Sequence, residues 1–193
     1  MLRWLNLFAR LACVVYSTIP SFWLLIHPWA ARWRQRRRSP YFILLPVWIG
    51  MWAAVGLITA RWRVVALYSP PWLWIPACFL FATGIWLYRQ SAKGFSAKQL
   101  GGIPELHPHS NEQRLVTTGI RARVRHPVYL AHLCEMLAWS VGTGLVVCYG
   151  LMAFAVVTGA VMIRMEDEEL EKRFGEEYRR YTTQVAAVVP NKF

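Results

Sequence analysis

The sequence predicts an all-α integral membrane protein, with about five transmembrane helices and a cytosolic amphipathic C-terminal helix. Three observations point there. The chain is 56% hydrophobic and carries eleven tryptophans in 193 residues, more apolar and aromatic surface than one soluble core of that size hides. Tryptophan is the residue that collects where a bilayer meets water. The basic residues, which give a net charge of +12, fall in the gaps between apolar runs, so they read as topology anchors and lipid contacts and not as a nucleic-acid surface.

A bilayer core about 30 Å thick needs roughly 20 apolar residues in helix. Leu11–Trp29, Tyr41–Ala60 and Val64–Tyr88 each qualify and carry no formal charge. Pro20 interrupts the first run and Pro70, Pro71 and Pro76 the third. Prolines are tolerated in spans where neighbouring helices satisfy the freed carbonyls. The first run is long, is followed by an arginine cluster and lacks a small-residue cleavage site, so it reads as a span and not as a signal peptide. The last apolar stretch, Pro127–Ile163, holds one formal charge, Glu135. It is too long for one span and short for two, and reads as a hairpin of two short or tilted helices. Its turn falls at Gly142-Thr143-Gly144 or at Gly150. One long tilted helix is the alternative.

Five spans put 18 of the 22 basic residues on one side, in 32–38, 89–125 and 164–192. Arg3, Arg10, Arg61 and Arg63 remain on the other. The excess of Lys and Arg on the cytosolic side then places the N-terminus outside and the C-terminus in the cytosol. The membrane expected is a prokaryotic inner membrane, with the endoplasmic reticulum as the alternative. The whole chain reads as one domain: three spans in 1–88, a cytosolic segment 89–126, the hairpin 127–163 and a cytosolic helix and tail 164–193.

The four cysteines (Cys13, Cys78, Cys134, Cys148) lie inside apolar runs without zinc or disulfide spacing and read as small buried hydrophobes. His107 and His109 flank Pro108 with no third ligand at sensible spacing, so no metal site is expected.

Two cytosolic segments carry residues suited to chemistry. In 164–184 lie seven of the ten acidic residues. Leu170, Phe174, Tyr178 and Tyr181 recur at one helical face, and Glu168–Lys172 and Glu169–Arg173 are spaced as intrahelical pairs. Glu166 and Asp167 stand where the helix leaves the bilayer, a costly place for an acid without a partner such as a bound cation. In the other segment Arg121, Arg123 and Arg125 run into His126-Pro127. Proline suits the first position of a helix because its missing N–H has no acceptor there. His126 then sits at a helix N-terminus, either as a plain boundary or as a site.

Leu115-Val116-Thr117-Thr118-Gly119, then Arg125-His126-Pro127-Val128-Tyr129, a hydrophobic hairpin, Glu166-Asp167-Glu168-Glu169-Leu170, Phe174-Gly175, Tyr178, Tyr181 and Pro190 together resemble the isoprenylcysteine carboxyl methyltransferase family. The resemblance covers about the C-terminal two-fifths of the chain. It implies S-adenosyl-L-methionine as cofactor, with S-adenosyl-L-homocysteine as product, bound on the cytosolic side beneath the hairpin. The family's binding positions fall on Gln113, Arg114, Leu115, Val116, His126, Pro127, Val128, Tyr129 and Glu166. Arg121 stands near adenine or ribose where the family has an aromatic. Glu166 is implied to meet the cofactor's ammonium. The family's substrate arginine, four residues before that acid, falls on Met162 here, which leaves Arg164 and Arg125 as substrate-orienting candidates. No Gly-x-Gly-x-x-Gly is present, so the resemblance calls for a non-Rossmann site. The implied acceptor is an isoprenylcysteine-type or similar lipophilic carboxylate entering from the bilayer. Two other readings stand beside it: a phospholipid or small-amine N-methyltransferase, and a non-catalytic membrane protein that docks a partner through its C-terminal helix.

Overall fold

The computed structural model describes residues 2–36, 39–93 and 114–189. Within them the chain is an all-α membrane protein. Its helices are α1 (Leu2–Leu24), α2 (Ala30–Arg34), α3 (Tyr41–Ile58), α4 (Trp74–Ala92), α5 (Pro127–Thr143), α6 (Val146–Phe174) and α7 (Glu176–Gln184). Four stretches are long and apolar enough to cross a membrane: Arg3–Arg34, Tyr41–Ile58, Pro71–Ala92 and Val146–Phe174. The fifth long helix, α5, has 17 residues.

Much of the apolar surface faces outward. Phe42 and Leu57 on α3, Phe79 on α4 and Val157 on α6 are each more than 60% exposed. A helix that is apolar on all sides and little buried in protein is solvated by lipid. The buried core lies between α1, α5 and α6, where Cys13, Val14, Met136, Leu145, Cys148 and Leu151 pack together. Cys13 and Cys148 thus match the reading of buried hydrophobes, whereas Cys78 is exposed and Cys134 half-buried.

Against α5, α4 packs through small residues. A Cβ added at Gly142 would lie 2.8 Å from the Trp74 ring, and one at Gly84 would lie 2.9 Å from Cγ of Glu135. Close approach through small residues is the usual way helices associate in lipid, where apolar burial offers no driving force.

The expected hairpin is present, and the turn is at Gly144. This residue has φ +68°, its N–H donates to Ser140 O at 2.8 Å, and an added Cβ would sit 2.2 Å from the Tyr68 carbonyl oxygen. Only glycine fits both that backbone and that gap.

Three boundaries differ from expectation. Helix α1 starts at Leu2, ahead of the apolar run, and takes in Arg10; that buried guanidinium donates to the Gly56 carbonyl at the end of α3. The third span starts only after Pro70-Pro71. Residues ahead of it run beside the hairpin turn, with Leu67 N–H donating to Gly144 O at 2.9 Å and Val146 N–H to Val65 O at 3.0 Å. A residue before proline is pushed toward extended backbone, so an apolar run ending in two prolines does not open a helix. Finally, the C-terminal helix is not one continuous rod. Helix α6 runs on through the acidic cluster to Phe174, and Gly175, at φ +57° and ψ −132°, breaks it before α7. That backbone is essentially glycine-only.

The long helices alternate in direction, so the connections gather at two ends. At one end lie α2, the C-terminus of α4, residues 114–126, the end of α6 and α7, joined by Arg34–Glu169 at 3.0 Å and Arg121 Nη1 to Ser91 O at 3.2 Å. At the other lie the α3–α4 connection and the hairpin turn, joined by an Ala66–Leu145 bridge and a Tyr68–Tyr149 hydroxyl pair. The described basic residues of 32–36, 89–93 and 114–180 therefore gather at the first of these ends.

Candidate active site

At the basic end the chain crosses itself. Residues 123–126 lie beside 185–187 in a short parallel pairing, with Arg125 N–H donating to Ala186 O and His126 N–H to Ala187 O, each at 2.9 Å. The Tyr181 hydroxyl donates to the Arg121 carbonyl at 2.6 Å. Tyr178, Tyr181 and Val185 are buried together and pack on Leu115, Leu170 and Phe174. The apolar face of α7 is thus covered by this chain's own residues, including the segment that leads into His126.

His126 caps α5 with Pro127 at the first helical position. The bare backbone N–H groups of a helix start favour negative charge, and both carboxylates of the α6 exit are brought to it. His126 Nδ1 lies 3.3 Å from Glu166 Oε2, and Nε2 lies 2.9 Å from Asp167 Oδ1. Asp167 also pairs with Arg125 at 2.6 Å and accepts from the Tyr178 hydroxyl. Arg125 in turn donates to the Val185 and Thr182 carbonyls. The acids that looked unpartnered in sequence are therefore held by residues on three elements.

His126 is 6% exposed. Burial alone would depress its pKa, but the Glu166 and Asp167 carboxylates more than offset that and raise it to about 9. At neutral pH the ring is an imidazolium between two carboxylates.

Glu166 is less completely used than Asp167. Its Oε2 is buried and, although near His126 Nδ1, has no well-formed hydrogen bond among the described residues. On its other side is the 3-10 turn His27–Trp29 after α1, which packs against α6. His27 there is buried and stacks on Trp23 at 5.4 Å. A buried carboxylate oxygen with spare accepting capacity fits an ammonium, so the residues present suit the methionine part of the implied cofactor.

An apolar groove of about 260 Å³ runs between α1, α5 and α6. Tyr129, one helical turn past His126, lines it and donates its hydroxyl to Met162 Sδ at 3.1 Å. Val188 and Val189, which follow the Ala187 strap, also line it.

The remaining candidates divide as follows. Leu115 and Val116 are half-buried on the α7 side, Arg114 is exposed, and Val128 is half-buried on the first turn of α5. Arg121 is buried against Ser91. Arg164 is exposed on α6, away from the acid pair, and Met162 is fully buried under Tyr129. Gln113, His107 and His109 lie outside the described residues. Among the described residues no group of His, Cys, Asp and Glu is arranged to hold a metal. The sequence reading passed over His27, although the His-Pro step it shares with His126-Pro127 was there to be seen. It also did not place the 185–187 strap, for which no local signal exists.

The chain is 41% identical over 81 residues to protein-S-isoprenylcysteine O-methyltransferase A of Arabidopsis thaliana, and 38% identical over 82 residues to its B form. Over the matched stretch the chain is similar to the protein-S-isoprenylcysteine O-methyltransferases. The match covers 39% and 40% of this chain and the same shares of the two relatives, so the chain spans about two-fifths of the length of each. It is also 37% identical over 59 residues to an uncharacterized protein of Haemophilus influenzae, covering 30% of this chain and 94% of that one. No family model and no solved structure matches. Of the motif residues, Arg125, His126, Glu166, Asp167 and Tyr178 are polar side chains that this fold brings to one point.

Proposed function

We propose that the protein is an S-adenosylmethionine-dependent methyltransferase of the membrane, methylating the carboxylate of an isoprenylcysteine-type or similar lipophilic acceptor. The observation that carries this reading is a junction. Glu166, whose buried Oε2 has spare accepting capacity, stands on α6 one turn past Ile163, which lines an apolar groove. One half suits a charged, water-soluble cofactor and the other suits an acceptor drawn from the bilayer. The Arabidopsis relatives are named as protein-S-isoprenylcysteine O-methyltransferases.

The cofactor, when bound, supplies a methyl group already activated on a sulfonium. The chain's own residues then have three tasks. Glu166 is the group that would fix the amino-acid portion through its ammonium, and the imidazolium of His126 holds the Glu166 carboxylate in its ionised form. Tyr129, Val188 and Val189 wall the reacting end from water. The groove orients the acceptor. A carboxylate acceptor needs no general base, because it is already the nucleophile; positioning alone accounts for on the order of 7–11 kcal/mol in well-oriented reactions.

Neither arginine singled out in the sequence points freely at the acceptor. Arg125 is committed to Asp167, and Arg164 is exposed. Orientation then rests on the groove walls, which favours acceptors with a long apolar portion. The distribution of basic residues supports a cytosolic location for this end. The partner-docking alternative loses its main support, because the apolar face of the C-terminal helix is already packed.

The deciding experiment is calorimetric binding of S-adenosylhomocysteine to purified protein in detergent, with Glu166→Ala and His126→Ala alongside. Micromolar binding lost in both variants is expected. A well-folded wild type that binds nothing overturns the reading. Base-labile methyl incorporation identifies an ester product and separates carboxyl from amine acceptors.

A further inference from the structure

The apolar groove has a definite length. On α5 its lining runs from Tyr129 to Met136, and on α6 from Ile163 to Ala155. These steps of seven and eight residues rise about 10–12 Å along a helix. The end at Tyr129 and Ile163 lies one turn from His126 and Glu166 in sequence. The other end is a floor. Met136 and Ala155 are buried there, and Cys13, Val14 and Leu151 pack with them to fill the space between the three helices.

Length and volume give the same capacity. An extended chain advances roughly 1.2–1.3 Å per bond, one third of the 3.8 Å Cα spacing, so about ten carbons reach the floor. An apolar cavity of about 150 Å³ holds benzene. In proportion, the 260 Å³ of this groove holds about ten carbons.

Gly159 keeps that space open. A Cβ added there would stand 3.8 Å from Pro20 Cγ, an ordinary contact. Its φ is not positive, so neither the backbone nor the packing calls for glycine. A glycine inside a helix lowers helix stability relative to alanine. What it supplies here is room.

We propose that the groove is a ruler for one apolar chain, that it takes about ten carbons, and that Gly159 is the residue that sets this capacity. Val156 and Ala160 are exposed along one flank, so a longer chain is not excluded. Its remaining carbons lie in lipid and add nothing to selection. That the chain belongs to a methyl acceptor rests on the methyltransferase reading; the ruler itself does not.

The test uses the full chain in detergent and unbranched carboxylic acids from hexanoic to hexadecanoic. Calorimetry compares wild type with Gly159→Leu, whose side chain enters the groove one turn, about 6 Å, from Ile163. Partition of each acid into micelles is common to both proteins and cancels in the ratio of their affinities. The ratio is expected to be about one for hexanoic acid, to climb to about tenfold at decanoic acid and to stay there through hexadecanoic acid, because displaced carbons lose packing contacts and carbons in lipid have none to lose. Unchanged binding of hexanoic acid shows that the leucine variant is folded. Gly150→Leu makes the same exchange on an exposed face of α6 and should keep the wild-type profile.

A ratio that does not depend on chain length, or that still rises at hexadecanoic acid, overturns the ruler. So does a wild type that binds none of the acids, whether or not it binds S-adenosylhomocysteine, which is measured separately. The expected profile in a protein that never binds S-adenosylhomocysteine upholds the ruler and sinks the methyltransferase reading instead.

Discussion

His126 Nε2 lies 2.9 Å from Asp167 Oδ1, and that contact ties the first residue of the hairpin's entry to the last part of its exit. Asp167 is the hub: it also takes Arg125 at 2.6 Å and the Tyr178 hydroxyl. Removing its charge strands a guanidinium and an imidazolium in a largely buried place. Asp167→Asn should therefore cost about 3–5 kcal/mol, the usual cost of breaking one side of a buried ion pair. The loss is read as a lowered apparent melting temperature in detergent. Glu168→Gln, one residue on and exposed, should shift it by less than about 0.5 kcal/mol.

The same contact makes stability depend on pH in a definite direction. The folded-state pKa of His126 is raised to about 9, against about 6.5 for a free imidazole. The folded state then holds the proton more tightly than the unfolded state. The contribution is complete below about pH 6.5 and is lost as pH rises toward 9. The apparent melting temperature should fall by roughly 5 °C or more between pH 6.5 and pH 9.5. A parallel scan of His126→Asn should be flat over that window.

Hydropathy made much of this fold legible, because spans must satisfy their backbone internally and so announce themselves by length. Tyr41–Ile58 was anticipated almost to the residue. Local backbone chemistry was harder to read. The 4, 4, 3 spacing of Leu170, Phe174, Tyr178 and Tyr181 suggested one helical face, yet those side chains cluster across a break at Gly175. The face was right and the rod was wrong, because a single glycine backbone re-aims α7 without disturbing the apolar pattern. In the site, Glu166 and His126 followed from family motif and charge cost. The strap at Ala186 and Ala187 offers no side-chain signal, and its role is all main-chain.

The hairpin turn gives a sharp contrast between two glycines that looked equivalent in sequence. Gly144 has φ +68° and a Tyr68 carbonyl oxygen 2.2 Å from where a Cβ would go. Gly150 is helical with nothing within 4 Å. Gly144→Ala should destabilise by about 2 kcal/mol or more, through both the left-handed backbone and the clash. Gly150→Ala should be neutral or stabilising by about 0.5–1 kcal/mol, since alanine is the better helix former. Melting of the two variants in the same detergent distinguishes this turn from one placed at Gly150.

Glu166 permits the most specific prediction about binding. If its buried oxygen accepts from the ammonium of the cofactor, then removing its charge should weaken only ligands that carry that ammonium. Glu166→Gln keeps the shape and loses the charge. Its affinity for S-adenosylhomocysteine should fall roughly 10- to 100-fold, the range for a hydrogen bond to a charged group. Its affinity for 5′-methylthioadenosine, which lacks the amino-acid portion, should match that of wild type. Equal losses for both ligands would place Glu166 near the nucleoside or mark the variant as misfolded, and circular dichroism with melting separates those two. No loss for either removes Glu166 from the cofactor site and leaves its partnership with His126 as its whole role.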